Sequence, residues 1–151
     1  MLSNRQGAGV LQALVVLLVG CGNADVVAAP ECLEGPEAIT RALERAPGDV
    51  RLDGRTRLSA CFKQAASESD VQSVGIYFLD ATRELTDRVR TAPRSDAAVQ
   101  LGYLVAAVRR GARTDTGVYY ETTRRMEQEL QGVPTDTPEF RRGLAAGRRS
   151  G

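Results

Sequence analysis

The sequence predicts an all-α fold: a small up-and-down helical bundle of about four helices, with a short loop or hairpin section near its start. Two segments in the second half of the chain repeat apolar residues at the three- and four-residue spacing of a helix. Proline and glycine then divide the chain into units joined by short loops. Because short loops place consecutive helices side by side in opposite directions, the units predict a bundle.

Length and composition exclude several classes of function. The chain has 151 residues, which favours a single domain, and it contains no histidine and no tryptophan. The absence of histidine removes the usual zinc ligands and the Ser-His-Asp and Cys-His arrangements. Lys and Arg number 20 against 19 Asp and Glu, so the net charge gives no case for nucleic-acid binding. We expect no enzyme activity, no catalytic residue, no metal and no cofactor.

The first 21 residues predict export. Arg5 is followed by an apolar run over residues 8–19 that only Gln12 interrupts. A basic start, a run of roughly 7–15 apolar residues and then small residues are typical of a secretory signal peptide. The run is too short to remain as a membrane-spanning helix, which needs about 20 residues.

The run ends in Leu18-Val19-Gly20-Cys21, which resembles the lipobox of bacterial lipoproteins. The resemblance covers only the signal region. It implies a diacylglycerol group on the Cys21 sulfur, cleavage between Gly20 and Cys21, and a further acyl chain, such as palmitate, on the new amine. The protein would then be anchored by lipid on the extracytoplasmic face of a membrane. Plain secretion after cleavage at Ala29, or an uncleaved N-terminal helix with a buried Cys21, remain the alternatives.

The number of cysteines agrees with the lipobox. The chain has three, and an odd number leaves one reactive thiol in an oxidising compartment. If Cys21 carries lipid, Cys32 and Cys61 remain as a disulfide pair, whose loop of about 30 residues stabilises the fold by roughly 3.5 kcal/mol. Two buried thiols are the alternative.

These observations divide the chain into four parts. Residues 1–20 are expected to be a cleaved signal peptide, and residues 21–31 a lipidated N-terminus and tether. Residues 32–131 are the predicted helical domain. Residues 132–151 form a C-terminal extension with a short helix.

The first part of the domain combines a helix with a loop section. Pro36 suits the first turn of a short amphipathic helix, which Pro47-Gly48 ends. Asp53-Gly54 then favours a hairpin turn, although a two-residue loop would place Leu58 on the wrong face. We expect an extended loop or small ribbon here, and Ser59 can serve as the N-cap of a short helix that follows.

The next helix is predicted between a serine cap, Ser67 or Ser69, and the break at residues 91–93. Its core stripe consists of Val71, Val74, Phe78, Thr82, Leu85 and Val89. Ser95 is expected to cap a further helix with one apolar face. That face consists of Ala97, Leu101, Leu104, Val105, Val108 and Ala112.

A fourth helix is predicted from about residue 115 to 131, before the stop at Gly132. Its inward residues are expected to be Tyr119, Thr123, Met126 and Leu130.

The C-terminal extension carries two arginine pairs around an apolar patch. Pro138 suits the start of a short helix, and Phe140 and Leu144 would dock it on the bundle. A frayed tail and contact with anionic lipid headgroups are the alternatives. Gly143 and Gly147 form a GxxxG pattern, but among four arginines it does not indicate a transmembrane dimer face.

Three functions remain open. The favoured one is a non-catalytic interaction or structural module of the cell envelope, with the membrane and an envelope protein as partners. The second is a small-ligand binder with a pocket between helices near Tyr103, Tyr119 and Tyr120. We expect Tyr103 and Tyr119 at the bundle edge with their hydroxyls in water. A hydrolase that uses carboxylates or tyrosine is the third.

Overall fold

The computed structural model describes residues 28–64, 67–112 and 117–151. Cys21, the signal peptide and most of the expected tether lie outside these residues, as do positions 115 and 116 of the expected fourth helix. Within the described part the fold is all-α, and the only β feature is a single bridge between Leu52 and Thr56. No helix in this part is long and apolar enough to cross a membrane.

Six α-helices are described, four of which have twelve or more residues. They are α1 (Pro36–Leu43), α2 (Cys61–Gln64), α3 (Glu68–Thr91), α4 (Asp96–Gly111), α5 (Val118–Glu129) and α6 (Pro138–Ser150). Turns of 3-10 helix precede α1 (Pro30–Leu33) and α2 (Leu58–Ala60). The expected count of four is therefore approximate, because α1 has only eight residues and α2 only four.

The loop section is a three-residue turn. Asp53 and Gly54 take positive φ angles of 44° and 68°, and the bridge between Leu52 and Thr56 closes around them. This register places Val50 opposite Leu58, and both side chains are completely buried. The expected turn residues are confirmed, and the pairing is a ribbon of minimal length.

Serine and threonine caps set the ends of the helices. Ser67 accepts a hydrogen bond from the Asp70 amide at the start of α3, and Thr137 accepts one from Phe140 at the start of α6. Ser95 stands at the N-cap of α4, but its hydroxyl donates to the carbonyl of Ala92 instead. The prediction for Ser59 was wrong: it lies inside a 3-10 turn and is buried, and its hydroxyl donates to the Gly151 carbonyl at 2.6 Å.

The core is one continuous cluster with α4 at its centre. Each residue from Ala97 to Val108 is buried, so the expectation of a single apolar face on α4 was wrong. The stripe predicted for α3 is buried from Val74 to Val89, with Val71 only half-buried.

The second face of α4 is covered by α6. Phe140 and Ala146 belong to the same hydrophobic cluster as the residues of α4, so the helix expected in a C-terminal extension is part of the common core. Glycines allow the contact: a Cβ on Gly102 would overlap the Phe140 carbonyl, and a Cβ on Gly143 would overlap that of Val99. The GxxxG of α6 thus serves packing within the molecule.

Candidate functional site

The two cysteines predicted to pair form a disulfide. The Cys32 and Cys61 sulfurs are bonded with a Cα–Cα distance of 5.6 Å, within the normal range for such a bridge. Both residues are at most 1% exposed. The bond joins the first turn of the fold to the start of α2 and closes a loop over 29 positions of sequence.

The structure separates the three tyrosines that were expected near a pocket. Tyr103 is completely buried in α4, and its hydroxyl lies 3.3 Å from that of Ser150 on α6. Tyr119 instead packs edge-on against Phe62 of α2, with ring centroids 5.0 Å apart. Tyr120 is 48% exposed on α5. None of the three lines any of the grooves found in the described residues.

The expectation that the hydroxyls of Tyr103 and Tyr119 lie in water was also wrong. The Tyr119 hydroxyl oxygen is buried and has no hydrogen-bond partner within the described part of the chain. Burial, together with the negative charge of Asp70, raises the pKa of Tyr119 to about 12. A phenol with this pKa stays protonated at neutral pH and is unsuited to act as a base.

The candidate site is a groove between α3 and α5, with a volume of about 490 Å³. Residues at helical spacing on both helices line it: Gln72, Gly75, Ile76 and Leu79 from α3, and Gly117, Val118, Glu121, Thr122 and Arg125 at and beyond the start of α5. We call these residues the α3–α5 groove. Its walls are mainly apolar, which is typical of sites that bind an apolar ligand or a helix.

Two exposed apolar side chains distinguish this groove from the rest of the surface. Ile76 is 55% exposed and Val118 is 39% exposed. A larger depression of about 660 Å³ lies over the turn between α3 and α4, but no large apolar side chain lines it. We therefore take the α3–α5 groove as the site, because exposed apolar surface of this kind commonly marks an interaction or ligand site.

The local packing of α3 against α5 explains why the groove is open. At Gly75 the helices approach closely, and a Cβ there would lie 2.7 Å from the Thr122 hydroxyl. Further along, Arg83 donates to Glu129 at 2.9 Å. Ile76 and Val118 stay exposed, and no third helix among the described residues covers them.

Charged groups border the groove on the side of α5. Glu121 accepts hydrogen bonds from Arg124 and Arg125 at 2.8–2.9 Å. These two guanidinium groups lower the pKa of Glu121 to about 2. The carboxylate is thus ionised at every physiological pH and occupied by its partners, which fits a fixed polar rim and not a general acid.

Several other acidic residues also form ion pairs at the surface. Asp80, Glu84 and Asp87, which share one face of α3, pair with Arg83, Arg88 and Arg90. At the ribbon, Thr56 donates to Glu31 at 2.5 Å, and this bond, with the nearby charge of Arg55, lowers the pKa of Glu31. In the part of the chain that the structure describes, no three cysteine or acidic side chains come together as metal ligands.

Sequence reasoning placed the disulfide correctly but missed the groove. Ile76 lies outside the predicted core stripe of α3, and Val118 lies at the very start of α5. An isoleucine displaced from the stripe of its own helix was the available signal.

No protein-family model, no curated protein and no solved structure matches the chain.

Proposed function

We propose that this chain is an exported lipoprotein whose helical domain is held at the extracytoplasmic face of a membrane by lipid on Cys21. There it acts as a non-catalytic interaction module. The bond between Cys32 and Cys61 carries the proposal, because it accounts for two of three cysteines and leaves Cys21 at the lipobox position. A buried structural disulfide is also typical of oxidising compartments.

The length of the tether defines where such a domain would operate. Ala28 is already buried in the fold, and seven residue steps separate it from Cys21. A fully extended chain spans at most about 3.6 Å per residue, so this segment reaches about 25 Å. The domain would therefore remain beside the lipid surface.

The α3–α5 groove supports an interaction function. Ile76 and Leu79 of α3 and Val118 of α5 give it an apolar surface between two helices, and an apolar groove of this kind can receive the apolar face of an amphipathic helix. Glu121 and Arg125 place opposite charges along the same rim, which suits a helix with mixed charges on its polar face. The proposed occupant is a helix of an envelope protein.

The mass of the protein recovered from a membrane fraction tests the anchor. The expected mass starts at Cys21 with added acyl groups and rises by two hydrogens on reduction of the disulfide. A Cys21→Ala variant should leave the membrane fraction or accumulate as the uncleaved precursor. A mature protein of unmodified mass that starts at Pro30 would contradict the anchor, as would a full-length mass from Met1.

Site-specific crosslinking in intact cells tests the groove. A photoreactive residue at position 76 or at position 118 should capture the same helical segment of one partner. The matched control is position 120, since Tyr120 is also exposed on α5 but lies outside the groove. Equal capture from position 120, or no reproducible product from 76 and 118, would contradict the proposal.

Binding of a small apolar ligand is the second candidate, and the volume of the groove favours it. About 490 Å³ lies within the usual range of roughly 300–1,000 Å³ for ligand sites. Native mass spectrometry of the isolated protein distinguishes the two. A small molecule that stays bound, and that an Ile76→Asp variant loses, would favour the ligand function over the helix.

A further inference from the structure

The outer face of α6 carries an unusual concentration of positive charge. Its exposed residues are Arg141, Arg142, Ala145, Arg148 and Arg149. At about 100° per residue these positions fall within an arc of about 120°, and at about 1.5 Å per residue they extend along about 12 Å of the helix. We call this surface the arginine stripe.

The arginines of the stripe differ from those of the other long helices. On α3 and α5, arginines are interleaved with acids, as Arg83 is with Asp80 and Glu129. Within residues 28–64, 67–112 and 117–151, no arginine of the stripe forms an ion pair, and Glu139 is the only acid on α6. The stripe is therefore a local concentration of positive charge on a chain whose net charge is close to zero.

Packing fixes the stripe toward the outside. The opposite face of α6 contains Gly143 and Gly147, whose backbones contact Val99 and Tyr103 of α4. No side chain larger than hydrogen fits there, so α6 cannot rotate about its axis. The four guanidinium groups consequently stay on one fixed surface.

The C-terminal end of α6 is linked to the first turns of the fold. Ser59 donates to the carbonyl of Gly151, which follows the last turn of α6. Ser59 is two residues from Cys61, which is bonded to Cys32. The disulfide at the start of the fold is thus joined, through Ser59, to the C-terminal end of α6.

We propose that the arginine stripe binds the phosphate groups of anionic phospholipids and orients the domain with α6 on the membrane. This inference rests on the proposed lipid anchor, which would hold Ala28, where the fold begins, within about 25 Å of the surface. Guanidinium groups pair well with phosphate oxygens, and each basic residue near an anionic membrane strengthens contact about fivefold. Four of them together correspond to several hundredfold.

The test uses the mature lipidated protein in vesicles and a tryptophan reporter within the stripe. The chain contains no tryptophan, so Ala145→Trp introduces a single one at an exposed position. Brominated phospholipids quench this fluorescence when the reporter touches the bilayer. We expect strong quenching in vesicles that contain phosphatidylglycerol, weak quenching in phosphatidylcholine alone, and loss of the difference at high salt.

A matched pair of variants separates the stripe from net charge. Replacing the four arginines of the stripe by glutamine should reduce quenching in anionic vesicles to the phosphatidylcholine level. The control replaces four other exposed arginines by glutamine, for the same change in net charge: Arg41, Arg45, Arg57 and Arg94. It should keep the quenching of the parent. Circular dichroism and the unfolding midpoint verify that both variants fold.

Failure of this inference is distinguishable from failure of the anchor. If the protein stays with all vesicles but the reporter is unquenched in anionic ones, or if the control variant loses quenching equally, the role of the stripe is wrong. If the protein leaves phosphatidylcholine vesicles altogether, the anchor is wrong. If the stripe binds a nucleic acid and ignores vesicles, lipid is the wrong partner.

Discussion

The helix pairs α4–α6 and α3–α5 are packed in different ways. In both pairs the two helices run in the same direction. In α3–α5, for example, Gly75 contacts Thr122, and Arg83, further along α3, contacts Glu129, further along α5. The α4–α6 contact is made backbone to backbone through glycines on both helices, whereas the α3–α5 contact has a single close point at Gly75. The first pair is closed along its length, and the second leaves a groove.

This difference separates the two roles of the surface. Where Gly102 meets Phe140, no space remains for a ligand, and α6 exposes only its charged outer face. Between α3 and α5, Ile76 and Val118 stay exposed. One pair thus provides stability, and the other provides an apolar surface.

Loss of the disulfide should have the largest effect, and it should affect both pairs. Phe62, next to Cys61, contacts Phe78 of α3 and Tyr119 of α5, while Gly111 of α4 packs against it. Closing a loop over 29 positions contributes about 3.5 kcal/mol to the free energy of unfolding. A Cys32→Ser/Cys61→Ser variant should lose about this amount in urea denaturation. Increased hydrogen exchange in only one helix pair would contradict a shared role.

Gly143→Ala should break the closed pair. The new methyl group would overlap the Val99 carbonyl, and since backbone cannot move aside cheaply, we expect a loss of about 3 kcal/mol in the free energy of unfolding. Denaturation of the purified variant measures this loss.

Gly75→Ala is the control in the open pair. The nearest obstacle there is the Thr122 hydroxyl, a side-chain atom that can shift at the cost of its hydrogen bond to the Val118 carbonyl, and this cost offsets the gain of about 1 kcal/mol by which alanine favours the helix. We expect a stability within about 1 kcal/mol of the parent. If both variants lost the same amount, the two pairs would be equally close-packed and the comparison would be wrong.

The smallest effect concerns pH at the rim of the groove. The pKa of Glu121 is lowered in the folded protein to about 2, so its stabilising effect is fully present above the ordinary value of 4.5 and is lost as pH falls toward 2. A Glu121→Gln variant should be slightly less stable than the parent at pH 7 and equal to it near pH 2. Urea denaturation at both pH values measures the difference, and a constant difference would contradict this assignment.

The sequence predicted those parts of the fold that depend on local signals. Side chains close to one another in the chain determine the cap of α3 at Ser67, its end before Pro93 and the start of α6 at Pro138. The buried stripe around Phe78 likewise follows from local spacing. The Cys32–Cys61 bond was predicted from the number of cysteines, because one of the three, Cys21, was already assigned to the lipobox and two remained to pair.

The remaining features depend on which helices meet. Nothing local to Tyr103 shows that α6 covers it, so an edge position with a wet hydroxyl was the natural expectation and was wrong. The groove was missed for the same reason, because the exposure of Ile76 depends on which helices of the described part reach α3 and α5. The resemblance of residues 18–21 to a lipobox concerns residues outside the described part and stays a prediction.

The complete burial of α4 has a consequence for the order in which the chain becomes ordered. One side of α4 is covered by α3, which precedes it, but the other side waits for α6, which begins 27 positions after α4 ends. During synthesis, α4 therefore presents uncovered valine, leucine and alanine until the chain has emerged beyond residue 150. A nascent chain with this surface exposed needs a chaperone that holds it or rapid synthesis of α6, since the uncovered apolar side chains of α4 promote aggregation and attract proteases.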